Sequence, residues 1–146
     1  MKTLMAAACA LALAACSHSS VAVSPQQGLM AWHNKYPSAA RDLCVMEKRE
    51  PLAARRLLQW ERDNPIAAQE LLDWAARNPG TPFPYFFQEH PGLQAEAVLR
   101  ATPAGISMLL TWAADHPDAA QDLANDGALL QWRAEHPSWQ AEHPAC

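Results

Sequence analysis

Between Gln59 and Pro79 the chain reads QWERDNPIAAQELLDWAARNP, and its apolar positions recur at helical spacing. Ala68, Leu71, Leu72 and Ala75 fall on one face of a helix that starts at Pro65. The same phrase stands at both ends of this helix: a Trp, three residues, Asn, then Pro, as Trp60 to Pro65 and as Trp74 to Pro79. The proline ring pushes the residue ahead of it out of the α region, yet proline fits the first position of a new helix, where its missing N–H has no partner to lose. Each phrase therefore predicts the end of one helix and the start of the next with almost no loop between.

The pattern extends along the chain. A large apolar residue stands five positions ahead of Pro at Trp32, Met46, Trp60, Trp74, Phe86, Val98, Trp112, Trp132 and Trp139, so all six tryptophans share this place. Behind the prolines, Ala-Ala recurs at 39–40, 53–54, 67–68 and 119–120, followed by Leu43, Leu57, Leu71 and Leu123. Small residues early in a helix let backbones approach, and the leucine fills the gap beyond. The expected fold class is all-α: about ten short Pro-delimited helices, forming a compact curled solenoid or an irregular helical bundle. Their expected spans are 30–35, 37–48, 51–63, 65–77, 82–89, 91–101, 103–115, 117–124, 127–135 and 137–142. Helices this short are marginal alone, so their stability must come from neighbours.

Composition adds a size and an address. At 146 residues, half of them apolar, the chain suits one domain with its own core. Met1 and Lys2 lead into an apolar run, Leu4 to Ala15, too short to span a bilayer and shaped like a secretion signal. The run ends Leu13-Ala14-Ala15-Cys16, which resembles the lipobox of bacterial lipoproteins. That resemblance implies cleavage before Cys16, acylation of Cys16 and, with Ser17 following, delivery to the outer membrane. The expected organisation is a signal peptide over 1–15, a flexible tether over 16–29 and a helical repeat domain over 30–146. Cys44 and Cys146 then remain as a candidate disulfide in an oxidising compartment, with two free thiols or an intermolecular bridge as the alternatives. A bridge between them requires the helices to curl into a closed globule, since a disulfide holds Cα atoms about 4.4–6.8 Å apart.

One stretch resembles a known helical array. Asn78-Pro79, Pro82, His90-Pro91, Ala97-Val98 and Thr102-Pro103 are similar to the leucine-rich repeat variant, a right-handed solenoid of alternating short helices. The resemblance implies stacking of short helices. His90 stands where that family has Asp, and the 14-residue proline steps upstream are too long for it.

Charge is uneven. Lys35 to Asp63 holds seven basic and five acidic side chains, whereas Asn64 onward holds three basic and ten acidic. A nucleic-acid binder would carry a basic domain, so that class is disfavoured. Lys48, Arg49, Arg55, Arg56 and Arg62 read either as a solvated face with helical ion pairs or as a docking patch for an acidic partner or lipid headgroups. Trp32, Trp60, Trp74, Trp112 and Trp132, with Pro65 and Pro79, read as structural repeat positions, each indole packing under the next helix start and reaching a carbonyl freed by the break. Their alternative is an exposed aromatic row that grips a protein or a glycan. His90, His116, His136 and His143 precede Pro in the slot that Asn64 and Asn78 occupy, and read as boundary or capping residues; no metal site is expected from them. Glu61 with Asp63, and Asp115 with Asp118, flank junctions and read as capping and dipole partners.

No His-Glu-x-x-His, Gly-x-Ser-x-Gly, Ser-x-x-Lys or phosphate-cradling loop is present in the sequence. The expected function is therefore non-catalytic and without cofactor: a protein-binding module on the periplasmic face of the outer membrane. An adaptor, inhibitor, immunity or exclusion factor, or pilotin-like chaperone would fit, with an envelope protein as partner and the lipid anchor as the membrane contact. The alternative is a cell-wall or glycan binder using the tryptophans, and after it an envelope enzyme.

Overall fold

The computed structural model describes residues 22–82, 84–89 and 103–142, and every ordered element among them is a helix. They are α1 (Pro25–Lys35), α2 (Pro37–Arg49), α3 (Pro51–Asp63), α4 (Pro65–Arg77), α5 (Pro84–Glu89), α6 (Pro103–Asp115), α7 (Pro117–Asn125), α8 (Gly127–Glu135) and α9 (Pro137–Glu142). None is long and apolar enough to cross a membrane. The helix expected over 91–101, Cys16, Cys146, His90, His143 and most of the segment similar to the leucine-rich repeat variant lie outside the described residues.

The junctions share one geometry. Tyr36, Glu50, Asn64, Asn78, His116 and His136 all have φ between −123° and −136° and ψ between 56° and 64°. At Asn64 the backbone N–H donates to the Trp60 carbonyl, closing α3, while its own carbonyl accepts from Ala68 N–H, opening α4. One residue thus serves as the last cap of one helix and the first of the next, and proline removes a donor that would otherwise go unmet. The side chains act on the preceding helix. Asn64 and Asn78 donate their amide nitrogens to the Trp60 and Trp74 carbonyls, and His136 Nδ1 lies 2.8 Å from the Trp132 carbonyl. Of the boundary and capping roles expected, Asn64 and His116 fill the boundary one with respect to the following helix, where they make no side-chain cap bond.

The tether expected over 16–29 ends sooner than residue 29. Ser24 and Gln27 form a reciprocal capping box with Pro25 at the first helical position, so α1 begins at Pro25 and Leu29 is buried. Among the described helices α8 starts without proline; there Asp126 accepts from Leu129 N–H instead.

The two halves of the chain pack face to face. α4 lies along α7, α3 against α8, and α1 reaches α8, so distant helices meet more extensively than successive ones. The architecture is the compact helical bundle, and the Ala-Ala-Leu positions supply its seams: Leu43, Leu57, Leu71 and Leu123 are all buried. At Gly105 a Cβ would stand 2.7 Å from the Ala53 carbonyl, so glycine is what lets α6 approach the α3 backbone.

At the centre the chain meets itself reciprocally. Trp32 Nε1 donates to the Ala119 carbonyl at 2.9 Å, and Trp112 Nε1 donates to the Ala39 carbonyl at 2.8 Å. Tyr36 bonds Asp122 while His116 bonds Asp42. In each case donor and acceptor exchange places between positions 80 apart, within WHNKYPSAARDL (32–43) and WAADHPDAAQDL (112–123). The Trp32 and Trp112 rings lie 6.0 Å apart where the two segments cross. Contacts in which residue i meets j and j's counterpart meets i's are those of a twofold interface, here within one chain. The indole acceptors of Trp32 and Trp112 are therefore first-turn carbonyls of a helix distant in sequence, and not carbonyls freed by the adjacent break.

Candidate functional site

α3 has two faces. Leu57 and Glu61, four residues apart, point into the core, whereas Arg55, Leu58 and Arg62 at steps of three and four border a groove of about 620 Å³. Cys44, Glu47 and Lys48 of α2 form a second wall, and Ala134, Glu135, Pro137 and Ser138 of α8 and α9 a third. Pro51, Ala54 and Leu58 give the α3 side an apolar floor beneath the guanidinium groups. Of the five cationic residues expected as a patch, Lys48, Arg55 and Arg62 are brought together here; Arg49 and Arg56 are exposed outside the groove. Arg62 Nε sits 3.3 Å from Asp63 Oδ1, and Arg55 has no ion-pair partner among the described residues. The Gln59 amide, and after it Arg62, hold the exposed Asp63 carboxyl below its ordinary range. Cys44, itself buried, is disulfide-bonded, with the other half-cystine outside the described residues.

Behind the groove lies a buried charge network. Arg133 Nη1 donates to Glu61 Oε2 at 2.6 Å, and Nη2 bonds Glu47 Oε1, so one guanidinium ties α8 to both α3 and α2. Arg133 and Glu61 are 1% and 0% exposed, against 13% for the Glu47 side chain. Burial pushes the Glu61 carboxyl up to about 8 and the Arg133 guanidinium down to about 10. Two carboxylates thus share one guanidinium, Glu61 at the deeper end and Glu47 beside the groove. Glu61 Oε1 and Trp60 Nε1 are buried and without hydrogen-bond partner among the described residues.

The Glu61–Asp63 pair expected at the junction is thus split: Asp63 is exposed at the surface, and Glu61 belongs to the network. Charged residues on apolar stripes carried the missed signal. Glu47 follows Leu43 by four, Glu61 follows Leu57 by four, and Arg133 follows Leu129 by four.

Four tryptophans, Trp32, Trp60, Trp74 and Trp112, are buried, while Trp132 and Trp139 are partly so. Trp74 donates to Glu89 of α5, and the Trp132 ring stacks on His136 at 4.1 Å. Pro65 and Pro79 follow the Trp60 and Trp74 breaks; Pro65 opens α4, whereas Pro79 leads into a turn. Asp115 and Asp118 border a second, smaller cleft at the central crossing. Among the described residues no three His, Cys, Asp or Glu side chains are gathered to hold a metal ion.

Compared with family models, with curated proteins and with solved structures, the chain matches none. The chemistry of the groove must be taken from its own side chains: a row of guanidinium groups over an apolar floor recognises carboxylates beside apolar groups.

Proposed function

We propose that this chain is a non-catalytic lipoprotein of the outer membrane, held at the periplasmic face through acylated Cys16, whose helical part is a protein-binding module. It serves another envelope protein as adaptor or inhibitor, in the manner of an immunity or exclusion factor or a pilotin-like chaperone. It uses no cofactor and engages no nucleic acid. The observation that supports this reading is the groove between α2, α3 and α8–α9, with Arg55 and Arg62 over Ala54 and Leu58. A cell-wall or glycan binder needs exposed indoles, and the burial of Trp32, Trp60, Trp74 and Trp112 favours the protein-binding reading over it. The Cys44 disulfide is assigned to Cys146, which non-reducing peptide mapping tests directly.

Cross-linking of the tagged chain in intact envelopes, followed by reconstitution with the captured protein, tests the module. The expected result is one envelope protein that also binds the purified chain. Turnover of peptidoglycan by the purified chain, or retention on glycan with no protein partner, contradicts it. Cys16→Ser should release the chain into the soluble periplasm with its helical content unchanged; continued membrane retention contradicts the anchor.

A further inference from the structure

Resting on that reading, we infer that the groove receives an amphipathic helix of the partner that carries carboxylates seven residues apart, with apolar side chains between them. Arg55 and Arg62 are themselves seven apart on α3, two helical turns or about 10.5 Å along the axis. Leu58 lies between them, and Ala54 and Pro51 continue the apolar floor, so the wall reads cationic, apolar, cationic. A helix laid along α3 presents its own positions i, i+3 or i+4, and i+7 at the same intervals. Acidic groups at i and i+7 then meet the two guanidiniums, whose planar N–H pairs donate to a carboxylate in bidentate fashion. A volume of about 620 Å³ accommodates the side chains of one helix face, and lies within the range of formed binding sites.

The site's charges favour this occupant. Arg55 has no ion-pair partner among the described residues, and Arg62 has only the exposed Asp63. Glu47, the acidic residue on the α2 wall, is held by Arg133, so its charge is not free to repel an incoming carboxylate. Glu135 at the α8 end is exposed and favours a partner helix whose acidic residues cluster toward α3.

The test uses the full lipidated chain in neutral detergent and a fluorescent helical peptide of about 16 residues, with Glu at i and i+7 and Leu at i+3 and i+4. The expected result is saturable binding that falls about tenfold or more in R55E/R62E. R49E/R56E carries the same charge change outside the groove and should shift binding by about twofold or less, the size of a screened long-range effect. A peptide of equal composition with its Glu residues moved to the apolar-opposite face should bind about fivefold weaker or less well. Equal losses in both double variants, or equal binding of both peptides, overturn the inference in favour of diffuse electrostatic attraction. Retention of anionic phospholipid vesicles that depends on Arg55 and Arg62, with no peptide binding, assigns the groove to a lipid surface and overturns it. So does self-association of the chain abolished by R55E/R62E. Because these arginines are exposed, unfolding midpoints of R55E/R62E and of R55Q/R62Q should match the parent. A cross-linked envelope partner that persists in R55E/R62E leaves the module standing and overturns this groove assignment. Peptide binding without any envelope partner does the reverse.

Discussion

Two crossings hold the halves of this molecule together, and they are built on opposite terms. Where α1–α2 meets α6–α7, each tryptophan donor finds a carbonyl of the other half, and the polar contacts, Lys35 and Tyr36 on Asp122 and His116 on Asp42, lie at the rim. Where α3 meets α8, the tryptophan N–H has no acceptor among the described residues and an arginine is buried against two carboxylates. The first crossing is a self-complementary apolar seam with its hydrogen bonds met. The second carries desolvated charge that an apolar pair of similar volume would avoid, since buried ion pairs often contribute less than they cost. The groove opens beside the second crossing, with Glu47 shared between network and wall. Imperfect packing of this kind is where binding surfaces are commonly found, and the satisfied crossing leaves the fold secure enough to carry it.

The largest effect is expected at Arg133. Arg133→Met should destabilise the chain by about 3–5 kcal/mol in urea unfolding, because it leaves buried Glu61 and part-buried Glu47 without their guanidinium. Replacing Arg133 and Glu61 together with Met and Leu should recover most of that loss, whereas a further loss would show the ion pair to be a net stabiliser.

The tryptophans sharpen the contrast at smaller scale. Trp112→Phe and Trp60→Phe remove the same ring volume from buried sites, but only Trp112→Phe removes a buried indole hydrogen bond. Trp112→Phe should therefore cost about 1–3 kcal/mol more than Trp60→Phe in paired unfolding experiments. Equal costs would mean that the central hydrogen bonds contribute nothing to the seam. At the rim the effects are smallest: Asp42→Asn or Asp122→Asn should each change stability by about 0.2–1 kcal/mol, less at high salt.

Much of this architecture was legible in the residues. Pro37, Pro51, Pro65, Pro103, Pro117 and Pro137 open helices because a ring-locked φ and a missing N–H suit that one position, and the spans 51–63, 65–77, 103–115 and 137–142 follow from them. The start of α1 was missed because the polar run before Leu29 reads as tether, although Ser24 and Gln27 encode a capping box. The reciprocal crossing was half visible: the shared Trp, Pro, Ala-Ala and Leu of 32–43 and 112–123 lie in the sequence, but which repeats pair across the core is set by packing between distant helices. The basic patch could be named from charge alone, yet its division into Arg55 and Arg62 inside the groove and Arg49 and Arg56 outside depends on where α8 and α9 dock. The buried network escaped notice because junction carboxylates usually serve caps, and only the phase of Glu61 with Leu57 marks it as inward.

The two crossings also respond to pH with opposite sign. At the central rim, Lys35 and then Tyr36 hold the Asp122 carboxyl below its ordinary value, so its contribution is present above the unfolded carboxylate range and is lost on acidification. Glu61 is raised: the folded state binds its proton more tightly than the unfolded chain, so its contribution falls as pH rises from about 4.5 toward about 8. The most direct test of a charge burden at the α3–α8 crossing is the unfolding free energy of the parent and of Glu61→Gln at pH 5 and pH 8. The parent should lose more stability than Glu61→Gln over this interval, the other titrating groups being common to both. An identical change in the two proteins, or a parent that gains relative to the variant as pH rises, contradicts it.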